Sequence, residues 1–428
     1  MKNPDIAPVN TSASVPDHIH TSPPVPADDH TSAPVPVDAH TSATSHTLAE
    51  PDTPFAVVDV HKVLRNVERL ARRAEGLGVV LRPHVKTAKS LDVAALLRNG
   101  DGAPCPVTVS TLAEAEAFAD GGYTDLTYAV GIAPHKLPRV LALSRRGVRL
   151  RVLLDSRAQA EAVADAARRA GLAIPAQIEI DCDGHRGGLR AEDPALLGIG
   201  RVLHEAGCLD GVLTHAGESY FATTPEARRR AAERERDAAV TAAGRLRAAG
   251  LPVAVVSVGS TPTAHAAEDL TGVTELRAGN YVFFDLVMAG LGVCRLDDLA
   301  LSVVVTVIGH RPELGRILTD GGWMAMSRDR GTARQARDQG YGLVTGLDGT
   351  PVPGLVMTDA SQEHGTLTAR DGAALPDLPL GTRLRILPNH ACATAAQHHG
   401  YHVVDSSRPH EHDGAPEAVA YWPRVTGW

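Results

Sequence analysis

The sequence predicts an α/β protein, a (β/α)8 barrel of the TIM type followed by a mainly β domain. Three observations predict it. Eight short, β-rich apolar segments recur over about 230 residues. Ala-, Arg- and Glu-rich stretches of helical periodicity separate most of them. After Asp285 helical periodicity becomes scarce, and strand-like segments alternate with Gly, Pro and Asp turns.

Residues 1–52 read as a disordered arm. His20-Thr21-Ser22, His30-Thr31-Ser32 and His40-Thr41-Ser42 recur every ten residues, and Asn10-Thr11-Ser12 looks like an eroded copy. So little apolar surface cannot offset chain entropy. The histidines read as low-complexity drift rather than a metal-scavenging tail. Order is expected from Thr53-Pro54-Phe55 onward, with a strand at Phe55 to Val60 and a helix at His61 to Gly76. The barrel is assigned to residues 53–290. Its strands are expected at Val79–His84, Val107–Ser110, Asp125–Val130, Arg151–Asp155, Gln177–Asp181, Gly211–His215, Ala254–Val258 and Glu275–Val282. Thr111–Asp120, Ser156–Ala170 and Thr224–Ala249 read as helices. Residues 291–428 form the β domain, with strands at Leu301–Gly309, Arg316–Thr319, Gly354–Thr358 and Arg383–Pro388 and a helix around Ala393–His399.

Composition narrows the function classes. Hydrophobic residues at 43% and charged residues at 21% fit a globular chain. A net charge of −8 gives no electrostatic reason for a nucleic-acid partner. No apolar run approaches the roughly 18 residues that span a membrane, and no basic segment precedes an apolar core at the amino terminus. Five widely spaced cysteines fit a reducing compartment, so a cytoplasmic protein is expected.

Functional groups of such a barrel gather at the carboxyl ends of its strands. The first end reads Arg82-Pro83-His84-Val85-Lys86-Thr87. A lysine at a partly desolvated barrel mouth suits imine formation, and His84 stands two residues away as a catalytic candidate. Strand seven ends in Gly259-Ser260-Thr261, and strand eight in Gly279-Asn280-Tyr281. Small residues, hydroxyls and exposed amides there suit a phosphate. Strand five brings Arg186, which either pairs with Asp181 or Asp183 or faces a cofactor ring. Strand six brings His215 and Tyr220, the latter either packed or in contact with a cofactor.

In the β domain, Pro388-Asn389-His390-Ala391-Cys392 sets a His and a Cys two apart, on one face of an extended segment. Imidazole and thiolate suit zinc, and two ligands leave an open site rather than a structural one. Glu363 and His364, in Ser361-Gln362-Glu363-His364-Gly365, are candidates for acid/base or supporting roles.

As an ordered set these motifs resemble the fold-type III pyridoxal-phosphate enzymes, specifically the D-serine dehydratase and D-threonine aldolase group. The markers are Arg82–Thr87, Glu179–Gly187, His215–Tyr220, Gly259–Thr263, Glu363–Gly365 and Pro388–Cys392, over about Thr53 to Val404. The resemblance implies an alanine-racemase-like barrel with a carboxy-terminal β domain, in a homodimer with active sites near the interface. It implies pyridoxal 5'-phosphate on Lys86, with its phosphate at Gly259–Thr263 and Gly279–Tyr281. It also implies a divalent metal on His390 and Cys392. Cysteine at the second position marks the dehydratase branch, and zinc over manganese. Ala88 stands where the family commonly has histidine.

The reaction so implied is β-elimination from a 3-hydroxy-D-amino acid, with Lys86 removing the α-proton and the metal assisting loss of the β-hydroxyl. D-Serine, giving pyruvate and ammonia, is the expected substrate. Arg328 or Arg330, if either enters the site, would instead hold a second carboxylate and favour 3-hydroxyaspartate. Retro-aldol cleavage of D-threonine is the rival reaction. A non-catalytic cofactor carrier is the rival class, and it has no need of the β domain or the His390/Cys392 pair.

Overall fold

The computed structural model describes residues 46–97, 102–184, 186–408 and 416–428. The His-Thr-Ser repeats and His185 lie outside the described residues. The eight barrel strands are Val80–Leu81, Val107–Val109, Asp125–Gly131, Arg149–Leu154, Ala176–Ile180, Leu209–Thr214, Val255–Val258 and Glu275–Leu276. All pair in parallel, and the eighth pairs with the first through Glu275 opposite Val80. Strands one and two close the ring through a parallel bridge between His84 and Thr108.

Intervening helices pack outside, and their caps follow from sequence. Helix Val60–Gly76 starts on Asp59, whose carboxylate accepts from the His61 and Lys62 amides at 3.1 and 3.4 Å. Helix Pro225–Ala248 starts on Thr224 with proline in its first turn. It buries Ala231, Ala239, Ala242 and Ala243 along one face, so its axis can approach the barrel wall closely.

The lower barrel lumen is charged rather than apolar. Arg82 donates to Glu275 and to Asp125, both at 2.8 Å, and Arg151 donates to Asp210 at 2.8 Å. Above them Glu275 accepts from Ser257 at 2.6 Å, and Ser257 accepts from Arg277 at 2.5 Å. That chain of bonds leads up to the mouth.

The β domain is itself a closed ring of strands: Leu301–Arg311, Arg316–Thr319, Gly365–Ala369, Pro351–Ala360, Gly342–Thr345 and Arg383–Pro388, the last pairing back to the first. Alternation along Leu301–Arg311 sends Val303, Val305 and Val307 into the ring's core and Val304 into a separate cluster with Phe55 and Val57.

Four sequence expectations change. Strand Phe55–Asp59, read as part of the barrel segment, pairs with Leu301–Val304 and with His402–Val404 in the β-domain sheet. Order also reaches back to His46–Thr47, paired with Glu417–Ala418. The eighth barrel strand stops at Leu276, and Asn280–Val282 form a 3-10 turn instead. The reason is local: at Gly279 a Cβ would meet the His84 carbonyl at 2.7 Å, so the chain bends where only glycine fits. The helix expected near Ala393 starts earlier, at Ala391–Ala395. Cys392 therefore lies in a helical first turn after His390, not on an extended segment.

Candidate active site

Lys86 stands on a turn held by both neighbouring strand ends. The His84 amide donates to Ala278 O at 2.7 Å, and the Val85 amide donates to Thr108 O at 2.9 Å. This turn opens into a cavity of about 560 Å3 at the carboxyl ends of the strands, lined by both domains. His84, Lys86, Arg186, His215, Tyr220, Gly259, Ser260, Thr261, Gly279, Asn280, His390 and Cys392 all line it. Twelve residues nominated from six sequence segments thus share one space.

The two barrel imidazoles are neutral. Burial first, then the charges of Lys86 and Arg277, hold His84 well below the usual histidine range. Burial and Lys86 bring His215 down to about 3, and its Nδ1 lies 2.9 Å from Gly259 O. Neither ring competes with Lys86 for a proton at neutral pH. Across the mouth, Gly259 has φ of +138°, and a Cβ there would meet the Arg277 carbonyl at 2.0 Å. Its absence lets strands seven and eight close together. Ser260 caps the following turn, its hydroxyl bonded to Ser219 at 2.8 Å and Thr263 at 2.9 Å. The Thr261 hydroxyl beside it is buried in the wall near the Tyr220 phenol and has no other hydrogen-bond partner among the described residues, a donor suited to an anion.

The β-domain rim supplies the opposite wall. His390 Nδ1 lies 2.6 Å from Asp329 Oδ2, and Cys392 Sγ lies 3.1 Å from Thr87 Oγ1. Burial alone would raise the Cys392 thiol, but His390, Lys86 and Thr87 outweigh it and hold it below its usual value. The sulfur and Asp329 raise His390 in turn, against its burial. A thiol shifted toward its thiolate and an imidazole held through Nδ1 by a carboxylate are groups that could hold a metal. Among the described residues no third His, Cys, Asp or Glu completes a ligand set, which leaves an open site.

Asp285 joins the walls. Its buried carboxylate accepts from Asn280 Nδ2 at 2.5 Å and from the Ala391 amide at 2.9 Å, tying strand eight's loop to the residue between His390 and Cys392. Burial raises its carboxyl. Arg277, which lines the cavity, donates to Thr214 O at 2.5 Å and is brought down to about 10 by burial.

Three nominations end elsewhere. The Tyr281 side chain is buried and lines a separate cavity with Cys105 and Leu97, because the 3-10 turn at Asn280 rotates it behind strand one. Glu363 and His364 are exposed on the hairpin turn between Pro351–Ala360 and Gly365–Ala369, where the Ser361 amide donates to His364 O at 2.8 Å. Neither lines the cavity. Arg328 lies over the Trp323 ring, and Arg330 pairs with Asp338 at 2.7 Å, so neither reaches the cavity wall. Ala88 is buried in the core, its carbonyl accepting from Tyr401 at 2.7 Å. Sequence reasoning missed Asp329, Asp285 and the role of Thr87. Asp329 sits inside the arginine-rich loop, where charge drew attention to its neighbours.

Two family models match the chain: "Alanine racemase, N-terminal domain" over residues 58–287, and "Putative serine dehydratase domain" over residues 300–404. The chain is 55% identical over 388 residues to D-threo-3-hydroxyaspartate dehydratase of Delftia sp. strain HT23, covering 89% of this chain and 99% of that one. It is 32% identical to D-serine dehydratase of Schizosaccharomyces pombe, over 84% of this chain and 90% of that one. A solved cysteine-to-alanine variant of D-threo-3-hydroxyaspartate dehydratase, in its metal-free form, superposes with a TM-score of 0.84. It is 55% identical, over 90% of this chain and 100% of that one.

Proposed function

Because the chain belongs to the fold-type III pyridoxal-phosphate family of D-serine dehydratases and D-threonine aldolases, we propose that it is a lyase eliminating water from a 3-hydroxy-D-amino acid, whose product then takes up water to give a 2-oxo acid and ammonia. The 3-hydroxyaspartate skeleton now stands ahead of D-serine, since the relative at 55% identity carries that name and the one at 32% carries the other. The observation that carries the reading is the convergence of Lys86, Cys392, His390 and Asp329 on one cavity, with buried Thr87 against the Cys392 sulfur behind it.

The residues fit both groups that this chemistry requires. Lys86 would hold pyridoxal phosphate, and Thr261 with the glycine-lined loops of strands seven and eight would hold its phosphate. His390 and Cys392 would hold a divalent metal, zinc by the donor set. The cofactor supplies an electron sink at the α-carbon, and the metal polarises the β-hydroxyl.

The chain's own residues do the rest. With the cofactor bound, Lys86 Nζ would be the base placed to take the substrate's α-proton. Neutral His84 and His215 leave that proton to Lys86. The Thr87 hydroxyl lies 3.1 Å from the Cys392 sulfur and, after His390 and Lys86, favours its thiolate form. Asp329 accepts from His390 Nδ1 and turns the other ring nitrogen toward the cavity. A homodimer belongs to the same reading, with the exposed Glu363–His364 turn free to face a second copy.

The test is incubation of the cofactor-loaded protein with D-threo-3-hydroxyaspartate, D-serine and D-threonine, with and without chelator. Ammonia and a 2-oxo acid are expected, and both should vanish on complete metal removal and return with zinc. Glycine and an aldehyde would establish the retro-aldol reaction instead. Persistent ammonia release without metal would remove His390 and Cys392 from the chemistry.

A further inference from the structure

The substrate class turns on a cation that sequence reading passed over. In 3-hydroxyaspartate the second carboxylate is bonded to the same carbon as the leaving hydroxyl. A cation that reads it must therefore stand beside the group that handles the hydroxyl, the His390/Cys392 rim. Most cavity-side cations are committed. Lys86 forms the cofactor bond, and Arg277 is buried and bonded to Ser257 and Thr214. Arg186 stands across the barrel on the strand-five loop, its charge beside Glu179. Arg330 and Arg337 pair with Asp338 and Asp371, and Arg328 lies over Trp323, a ring that is not part of the cavity wall.

Arg334 is different. It ends the short turn Gly331–Arg334, whose first residue lines the cavity, while its own exposed side chain stands at the rim outside that lining. That turn is pinned beside the metal pair: the Thr332 amide and hydroxyl donate to Asn389 Oδ1 at 3.1 and 2.5 Å, and Asn389 immediately precedes His390. The Arg334 guanidinium lies 5.5 Å from the centroid of Phe221, a half-exposed ring that also lines the cavity. Phe221 belongs to the strand-six loop, so the stack bridges the mouth from β domain to barrel. No carboxylate among the described residues pairs with Arg334 in an ion pair. An aromatic face holds a guanidinium by its plane and leaves its N–H edge free for a carboxylate.

We propose that Arg334, steadied by Phe221, binds the second carboxylate of a 3-hydroxy-D-dicarboxylic amino acid and so selects it over D-serine. The inference rests on the dehydratase reading above. Its test compares wild type with Arg334→Met, Arg334→Lys and Phe221→Ala, all cofactor- and zinc-loaded. With Arg334→Met, KM for D-threo-3-hydroxyaspartate should rise at least about tenfold with kcat within threefold, while KM for D-serine moves less than about twofold. Arg334→Lys should recover part of the loss, and Phe221→Ala should reproduce it more weakly. D-Aspartate and D-alanine lack the hydroxyl, so titrating each against the cofactor's visible spectrum gives the same contrast without turnover. Equal weakening toward D-alanine and D-aspartate would overturn the proposal, because Arg334 would then hold the α-carboxylate. Unchanged values for both would overturn it as well. Failure of the dehydratase reading is separate, since wild type would then release ammonia from neither hydroxy acid.

Discussion

The two walls of the cavity are built on different principles. The barrel wall uses short runs of nearby residues: His84 and Lys86 on one turn, Gly259 to Thr261 on another. The β-domain wall uses pairs distant in sequence, with Asp329 on His390 and Thr87 on Cys392. On the first wall, local backbone geometry fixes each functional atom. On the second, single hydrogen bonds between separate elements do so. Lys86 is thus secured by the fold itself, whereas His390 and Cys392 depend on contacts that one substitution can remove.

That contrast can be broken in three places, in descending size of effect. Lys86→Ala should abolish the visible absorbance of lysine-bound cofactor and lower ammonia release on the order of 10^3-fold or more, with stability nearly unchanged. A spectrum like wild type would move the cofactor away from strand one. Asp329→Asn should weaken zinc binding about 10- to 100-fold in a chelator competition, with the cofactor spectrum unaltered. Unaltered zinc affinity would mean that Cys392 and the helix start alone orient the metal site.

The smallest effect concerns Glu235, buried at 1% exposure under the strand-six loop and accepting from the Ala216 amide at 2.7 Å. Burial pushes its carboxyl up to about 7 from 4.5. The folded protein therefore holds this proton more tightly than the unfolded chain does. Its stabilisation is fully present below about 4.5 and lost as pH rises through about 7, at most roughly 3 kcal/mol. Glu235→Gln should narrow the gap between urea midpoints at pH 5 and pH 8. An identical gap in the variant would show the barrel wall tolerating a buried carboxylate at no cost.

Legibility in the sequence followed the same division. Periodicity exposed all eight barrel strands, because most bury an apolar run that contrasts with the flanking helices, although the first and last are only two residues long and Val80 is exposed. Motif order exposed Lys86, His215, Thr261, His390 and Cys392, since each is fixed by its immediate neighbours. Tyr281 was misplaced because side-chain direction after Gly279 depends on a bend that period-two alternation does not encode. Glu363 and His364 carry catalytic residue types, but the strand register of a closed β ring sets them on an outer turn. Asp329 and Asp285 stayed hidden, for their partners lie 61 and 106 residues away.

Strand Phe55–Asp59 has a consequence for how the chain is assembled. It leaves the ribosome ahead of the whole barrel, yet its two neighbours, Leu301–Val304 and His402–Val404, emerge after it. Topologically the barrel is an insertion within the β domain, held by a stem at Asp59 and Leu301. The strand must wait, edges unpaired, through the synthesis of more than half the chain. Severing the chain near residue 290 would therefore not release two independent parts, because the amino-terminal piece would keep a strand that belongs to the other.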